Sequence, residues 1–289
     1  MAQSSAIMFL YALVVTRPVN PPGVQPVITE EQLWKGLEHK ARNPMDYLPT
    51  MISACNITVD DGYKVGFAKL KFTTFMKFNV NSQIVRDVTE EIEPHPLSIA
   101  SLVKTGVRVT NIISYGASDG LLLTFTFANG STPSSAIMSY AFAATRPVNP
   151  PGVEPVITEE QLWKALEHKA RNPAAFVPMI TSCKVTVDEG NKLVREVTFG
   201  NSPNVIKEEI EAHPSTIVYF EMNTGTRVTN IVSYGPDDEL LLTYGFANGV
   251  PGVPADKPKP SAKELNAVVG KTVEGSIVVI RQMVKDGKI

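Results

Sequence analysis

Two polar residues lie four positions apart in residues 226–234, a stretch that alternates like a β-strand. Because alternate residues of a strand point to the same face, Asn230 and Tyr234 share a face with Val228 and Val232. An amide and a phenol among apolar side chains can orient a small ligand or donate a proton to it. They can equally bond each other or the backbone and so complete a core.

Two charged residues occupy similar positions on the preceding strand-like stretches. Arg195 shares a face with the apolar residues of 193–199, and Glu208 does so within 204–211, which makes the two possible hairpin partners. A buried Arg–Glu pair is costly to desolvate, and it could polarise a carbonyl group or bind an acid. A structural ion pair or a position at the rim are the alternatives. The candidate catalytic residues are therefore Tyr234, Asn230, Arg195 and Glu208.

The order of elements in the second half of the chain predicts what positions these residues. A strand (137–146) is followed by a helix that begins with the capping box Thr158–Gln161, by six strand-like stretches (180–247), and by an amphipathic helix (262–286). We expect an α+β fold in which a curved, antiparallel, seven-stranded sheet wraps the long C-terminal helix and leaves an apolar cavity. The residues predicted to line it are Tyr244, Phe220, Val228, Val232, Leu242, Phe246, Val269, Val273 and Ile277.

The chain is a tandem duplication. Residues 16–44 return as residues 145–173 with 27 of 29 positions identical, the differences being Gln25/Glu154 and Gly36/Ala165. A repeat of about 129 residues has the size of a domain rather than of a solenoid unit. We therefore predict two units: copy 1 (residues 1–133) and copy 2 (residues 134–289).

Copy 1 is predicted to be incomplete. Residues 65–83 have no counterpart in copy 2, whereas the counterpart of 199–207 is missing; the insert's alternating residues could form a substitute strand. Copy 1 also has no C-terminal helix, so its apolar sheet face needs a cover: packing between the repeats, a second chain in a homodimer, or a ligand. The working cavity is therefore expected in copy 2.

Composition argues against several classes of protein. A net charge of −2 and a pI near 6.1 argue against a nucleic-acid-binding surface. With one Cys in each copy (Cys55 and Cys183) and four His, none at ligand spacing, we expect no intradomain disulfide, no metal and no cofactor, and a reducing, cytoplasmic location. No apolar stretch approaches the roughly 18 residues that would span a membrane.

Several stretches together resemble a known family: TRPVNPP, TEEQLWKALEHKARNP, FVPMITSC, GTRVTNIVSYG, LLLTYGF and VIRQMVKDG. They are similar to the AtaL-like proteins, a family of unknown function named for a fungal acetylaranotin cluster. This family belongs to the helix-grip (START/Bet v 1-like) superfamily, with START lipid carriers, aromatic polyketide cyclases and pathogenesis-related allergens. The resemblance covers copy 2 and all of copy 1 except 65–89 and the missing helix.

The resemblance implies a hydrophobic small-molecule ligand and a role in fungal secondary metabolism, but it supplies no agreed catalytic residues. The first hypothesis is a protein that assists cyclisation, dehydration or rearrangement of a natural-product intermediate. The alternatives are a non-catalytic carrier of a lipid or polyketide, and a scaffold in which the open face of copy 1 recruits a partner.

Overall fold

The computed structural model describes residues 13–47, 52–60, 72–80, 83–95, 98–103, 107–129, 141–200, 202–250 and 260–289. For Leu13, for the described residues up to Arg108 that begin at Ile52, and for residues 127–129 it describes the backbone alone. The described part of copy 1 consists of β1 (Leu13–Pro18), α1 (Glu30–Arg42), a 3₁₀ turn (Pro44–Asp46), β2 (Ile52–Asp60), β3 (Phe72–Val80), β4 (Gln83–His95), β5 (Ser98–Val103), β6 (Val107–Tyr115) and β7 (Leu121–Asn129).

Copy 2 repeats this order and adds a long helix. Its elements are β8 (Phe142–Pro147), α2 (Glu159–Arg171), a 3₁₀ turn (Pro173–Ala175), β9 (Ile180–Asp188), β10 (Lys192–Phe199), β11 (Val205–His213), β12 (Ile217–Met222), β13 (Arg227–Tyr234), β14 (Leu240–Ala247) and α3 (Ala262–Lys285). The predicted capping box is present, because Thr158 accepts from the Gln161 amide while the Gln161 side chain accepts from the Thr158 amide. The mixed α+β fold is confirmed.

The described strands of both copies form one continuous sheet. Within each copy the neighbouring strands are antiparallel, and the first strand pairs with the last, β1 with β7 and β8 with β14. The copies meet through two short parallel contacts, β1 with β13 at Val15↔Tyr234 and β8 with β6 at Tyr115↔Ala144. Each first strand therefore lies between its own copy and the other one.

The insert of copy 1 supplies a strand, as its alternating pattern suggests. Strand β3, which lies entirely within the insert, is placed between β2 and β4 as β10 is placed between β9 and β11. Residues 84–89, which match residues 193–198 in sequence, are thereby moved into β4, the counterpart of β11. Glu90 consequently lies opposite Thr74 rather than opposite an arginine, and Arg86 lies opposite Phe78. Residues 65–71 and 81–82 of the insert fall outside the described residues.

Buried hydroxyl groups join the two copies in a crosswise pattern. The Thr16 hydroxyl donates to Ser233 Oγ over 2.8 Å and lies 2.8 Å from the Thr124 hydroxyl. Its repeat equivalent Thr145 lies 2.8 Å from Ser114 Oγ and 2.6 Å from the Thr243 hydroxyl. Each first-strand threonine thus binds one hydroxyl of its own copy and one of the other.

Apolar side chains close the same junction. One buried cluster draws members from both copies: Val14, Ile112, Ala143, Ile217, Tyr219 and Ile231. Strands β12 and β13 are therefore covered on this face by copy 1 and on the other face by the core of copy 2. Ile112 lies on the strand face opposite to Ile113 and Tyr115, so this junction is not the predicted cover of the open face of copy 1. Packing between the repeats on that face and a homodimer stay predictions.

Helix α3 packs on β8, β14 and α2, and an arginine fixes it to the sheet. Arg146 in β8 donates to Glu274 Oε1 over 2.6 Å and to Asn266 Oδ1 over 3.1 Å. Its guanidinium passes α3 at Gly270, where a Cβ atom would lie 1.6 Å from Nη2, so the close approach requires glycine. Among the described residues no helix is both long and apolar enough to span a membrane.

Replacing Thr16 by valine is expected to lower the free energy of unfolding by about 1–3 kcal/mol, because Thr124 and Ser233 lose a buried hydrogen-bond partner. Thr145→Val should have the same effect, since its contacts are the repeat equivalents. Urea denaturation measures both. The control is Thr186→Val on the exposed edge strand β9, expected to change stability by less than about 0.5 kcal/mol. Equal effects at all three positions would contradict the crosswise junction.

Candidate functional site

A lysine side chain lies inside copy 2. Lys169 follows Leu162 and Leu166 on the stripe of α2 that faces the sheet, and only 6% of its surface is exposed. Its amine donates to Asn230 Oδ1 over 2.8 Å. It also lies 3.9 Å from the ring centroid of Tyr244 and 5.8 Å from that of Phe220, which suits a cation over an aromatic face. The polar centre of copy 2 is therefore built around an amine.

The predicted Arg195–Glu208 pair lies beside this amine. The two residues are direct Cα partners on β10 and β11, and Arg195 Nε lies 2.5 Å from Glu208 Oε2, with both side chains buried. The Arg195 Nη1 also donates to the backbone oxygens of Lys169 (3.0 Å) and Ala170 (2.6 Å). These oxygens belong to the last turn of α2, where carbonyl groups lack helical partners and a cation is favoured. The pair therefore anchors the helix end that carries Lys169.

The surroundings lower the pKa of Lys169 from its ordinary value to about 7. Burial is the largest cause, because it disfavours the charged form, and the nearby Arg195 charge acts in the same direction. The Glu208 carboxylate opposes both. At neutral pH a substantial fraction of this amine is unprotonated, and an unprotonated amine can act as a base or as a nucleophile.

Two buried donors adjoin the amine without a protein partner of their own. Both Asn230 Nδ2 and the Tyr244 hydroxyl are buried, and neither forms a hydrogen bond with any of the described residues. Asn230 and Tyr244 are opposite one another on β13 and β14, so both groups face the same space. Ser276 of α3 lies near the Tyr244 hydroxyl but forms no well-aligned bond with it, and burial raises the pKa of this phenol above its usual value. Tyr244 therefore remains a neutral donor.

Tyr234 does not join this group. Its side chain lies at the end of β13, is 39% exposed, and donates to Glu159 Oε2 over 2.6 Å at the start of α2. The hydrogen bond to Glu159 is the main reason that the pKa of Tyr234 rises to about 12. Four residues of strand separate Tyr234 from Asn230 by about 13 Å, so Tyr234 lies at the exposed end of the face that the two share. A catalytic role for Tyr234 stays a prediction.

The predicted ligand-binding residues lie together in the core of copy 2. The members are Tyr244, Phe220, Val228, Val232, Leu242, Phe246, Val269, Val273 and Ile277, of which Val228 is partly buried. Strands β12, β13 and β14 and helix α3 supply them, and two of them, Tyr244 and Phe220, have their rings close to the amine of Lys169. A ligand-binding role for them stays a prediction.

Copy 1 retains only part of this arrangement. The repeat equivalent of Lys169, Lys40, donates to Asn111 Oδ1 over 3.2 Å and lies 4.4 Å from the ring centroid of Phe125. Phe125 stands where copy 2 has Tyr244, so the phenol is absent from this position. The insert also prevents Arg86 from lying opposite Glu90, as described above. The complete set of polar groups thus occurs in copy 2.

Lys169 is the residue that sequence reasoning missed. Lysines, glutamates and arginines surround it in α2, and such a composition is typical of a solvated helix face. One signal was available: its spacing of seven from Leu162 and three from Leu166 places it on the apolar stripe. The described residues contain no group of three or more His, Cys, Asp or Glu side chains that could hold a metal ion.

Two α+β repeats that share a sheet, with a buried lysine site in the second, define a tandemly duplicated protein. The family model described as acetylaranotin biosynthesis cluster protein L (AtaL) matches residues 13–136 and 142–287. The chain therefore belongs to the AtaL family, as the resemblance predicted, and the family match recurs in both copies. No curated protein matches it.

Solved structures show more distant likenesses. The di-domain aromatase/cyclase StfQ of the steffimycin pathway is 8% identical, with 96% of this chain and 99% of that chain covered and a TM-score of 0.39. The di-domain aromatase/cyclase BexL of the BE-7585A pathway is 9% identical, with 94% of this chain and 96% of that chain covered and a TM-score of 0.37. The Zhui aromatase/cyclase from Streptomyces sp. R1128 is 13% identical, with 50% of this chain and 92% of that chain covered and a TM-score of 0.32. At TM-scores below 0.5, such likenesses do not establish a shared activity.

Stability should depend on pH through Lys169. In the folded protein its amine loses its proton near pH 7, whereas in the unfolded chain it keeps the proton to about pH 10. The unfolded state binds more protons between these values, so Lys169 adds stability as the pH rises from 7 to 10. Compared with Lys169→Met, the wild-type free energy of unfolding should therefore rise by up to about 1.4 kcal/mol per pH unit.

Denaturant titrations of both proteins at pH 6, 7, 8 and 9 measure this effect. Lys164→Met, on the exposed face of the same helix, is the control and should differ from wild type by a constant amount. A constant difference for Lys169→Met as well would show that the buried amine keeps its proton.

Glu208→Gln is expected to lower the free energy of unfolding by about 3–5 kcal/mol, because it leaves the Arg195 charge buried without its partner. The double variant Arg195→Met/Glu208→Leu should recover part of this loss, since it removes both charges together. Urea denaturation compares these proteins with Glu209→Gln, whose exposed pair with Lys207 should matter little. A double variant less stable than Glu208→Gln would contradict this account.

Proposed function

We propose that copy 2 binds a hydrophobic intermediate of natural-product biosynthesis and promotes its cyclisation, dehydration or rearrangement. One observation carries the proposal: a buried amine is flanked by two buried donors that have no hydrogen-bond partner among the described residues. Buried polar groups in proteins are normally satisfied, and exceptions call for an explanation such as a bound molecule. A carbonyl oxygen of a ligand would satisfy both Asn230 Nδ2 and the Tyr244 hydroxyl.

The surrounding groups suit proton transfer to and from such a ligand. The amine of Lys169, with its pKa near 7, can take a proton from a carbon next to a carbonyl group at neutral pH. The neutral phenol of Tyr244 can donate to the oxygen on which negative charge develops. Arg195 and Glu208 act as positioning residues, because they hold the end of α2. Ring closure and loss of water in polyketones require these proton transfers.

The apolar core around the amine supports a hydrophobic ligand. In this proposal copy 2 is a helix-grip unit, and the predicted binding residues of β12, β13, β14 and α3 line the ligand site. The family description, a biosynthesis cluster protein, supports natural-product metabolism as the setting. Copy 1 has Phe125 in place of Tyr244, and its Arg86 does not lie opposite Glu90, so in this proposal copy 1 serves as a structural partner.

A synthetic poly-β-ketone thioester tests this function. The full chain should bind it and accelerate its cyclisation with loss of water, as followed by mass spectrometry of the products. Asn230→Ala and Tyr244→Phe should each slow the acceleration by about 100-fold or more while the ligand still binds. Lys40→Met removes the corresponding lysine of copy 1 and is the matched control, with unchanged turnover expected.

The same assay separates the other readings. Binding without any acceleration would exclude the catalytic role and leave a carrier. Tyr234→Phe examines the remaining predicted residue, and normal turnover in this variant would remove Tyr234 from the site. Absence of both binding and acceleration would overturn the proposal for this ligand class.

A further inference from the structure

The amine of Lys169 combines features that proton transfer alone does not require. The amine is buried, and it lies 3.9 Å from the centroid of the Tyr244 ring. Within the part of the chain that the structure describes, it donates to one side-chain acceptor, Asn230 Oδ1, over 2.8 Å. The partner charge in the neighbourhood, Glu208, is already engaged by Arg195. Desolvated lysines without a carboxylate partner are the nucleophiles that proteins use to form imines with carbonyl compounds.

We propose that Lys169 forms a reversible covalent imine with the carbonyl group of an aldehyde or ketone ligand. This inference deepens the proposed function and rests on the site described there, because it assigns the substrate class and a covalent step to the same buried group. The geometry points to the step: the nucleophile contacts Asn230, and the two buried hydrogen-bond donors belong to Cα partners that project from the same face of β13 and β14.

The step balances without any further reagent. The lone pair of the Lys169 amine forms a bond to the carbonyl carbon as the π bond of the carbonyl group breaks, and one proton passes from the nitrogen to the oxygen to give a carbinolamine. Loss of this oxygen as water, with the second nitrogen proton, then gives the neutral imine. No electrons are gained or lost overall, and hydrolysis reverses the sequence.

Neighbouring groups have defined tasks in this step. The Tyr244 hydroxyl and Asn230 Nδ2 hydrogen-bond the carbonyl oxygen, and Tyr244 is the group that can protonate it as it leaves. Asn230 Oδ1 keeps the amine oriented before attack. If the imine takes up a proton, the resulting cation lies over the Tyr244 ring, where an aromatic face attracts positive charge.

Reductive trapping tests this inference with 2-naphthaldehyde and 2-acetylnaphthalene as probes. The full chain at pH 7 is incubated with a limiting amount of either probe and sodium cyanoborohydride, and peptide mapping locates the stable secondary amine. Wild type should carry one adduct per chain at Lys169. Lys169→Arg, which keeps a cation but forms no imine, should lose at least nine-tenths of the labelling, and Lys40→Arg should retain it.

A second measurement does not depend on the folding of any variant. Within the wild-type chain, the labelling rate at Lys169 should exceed that at the exposed Lys164 of the same helix by at least ten-fold. Equal rates at the two lysines, or full labelling of Lys169→Arg, would overturn the inference. If the poly-β-ketone thioester is still turned over while Lys169 remains unlabelled, the covalent step fails and the proposed function stands. If Lys169 is labelled while the poly-β-ketone thioester is not turned over, the covalent step stands and the proposed function fails.

Discussion

The structure depends on a shared position of the first strands. Each of β1 and β8 completes the sheet of its own copy and also touches the other copy, and a buried threonine hydroxyl forms the link in both cases. This arrangement joins the copies into one sheet and covers both faces of β12 and β13. The site of copy 2 is thereby built on strands whose two faces are both buried at their centre. Such rigid support suits the precise placement of a few polar groups.

Duplication has left two versions of one constellation in a single chain. Both copies keep a lysine that donates to an asparagine at the same repeat position. Among the described residues only copy 2 has the phenol of Tyr244, which Phe125 replaces in copy 1, and the Arg195–Glu208 pair. In copy 1 the insert supplies β3 and moves the matching Arg86 into β4, the strand that also carries Glu90. An insertion that adds one strand thereby separates an arginine from the glutamate that it would otherwise lie opposite.

Much of the fold followed from local patterns. The capping boxes, the ends of the helices at Asn-Pro and the pairing of Arg195 with Glu208 arise from neighbouring residues or from strand alternation. The burial of Lys169 could not be predicted so directly, because its neighbours Phe220, Asn230 and Tyr244 come 51, 61 and 75 residues later in the chain. Two almost identical helices show how far the surroundings decide burial: α2, which packs against α3, buries six side chains, whereas among its described residues α1 buries Leu37 alone. The exposure of Tyr234 was equally hard to predict, because it depends on how the end of β13 meets the start of α2.

The junction between the copies has a consequence for assembly. The sequence Thr-Arg-Pro is identical in β1 and β8, and the threonine of each strand meets equivalent hydroxyls in both copies. The threonine hydrogen bonds therefore do not distinguish one first strand from the other, whereas the bonds from Arg146 to α3 are particular to β8. Because each first strand could form the same contacts with a second chain, exchange of β1 or β8 would link molecules by a domain swap without creating any new type of contact.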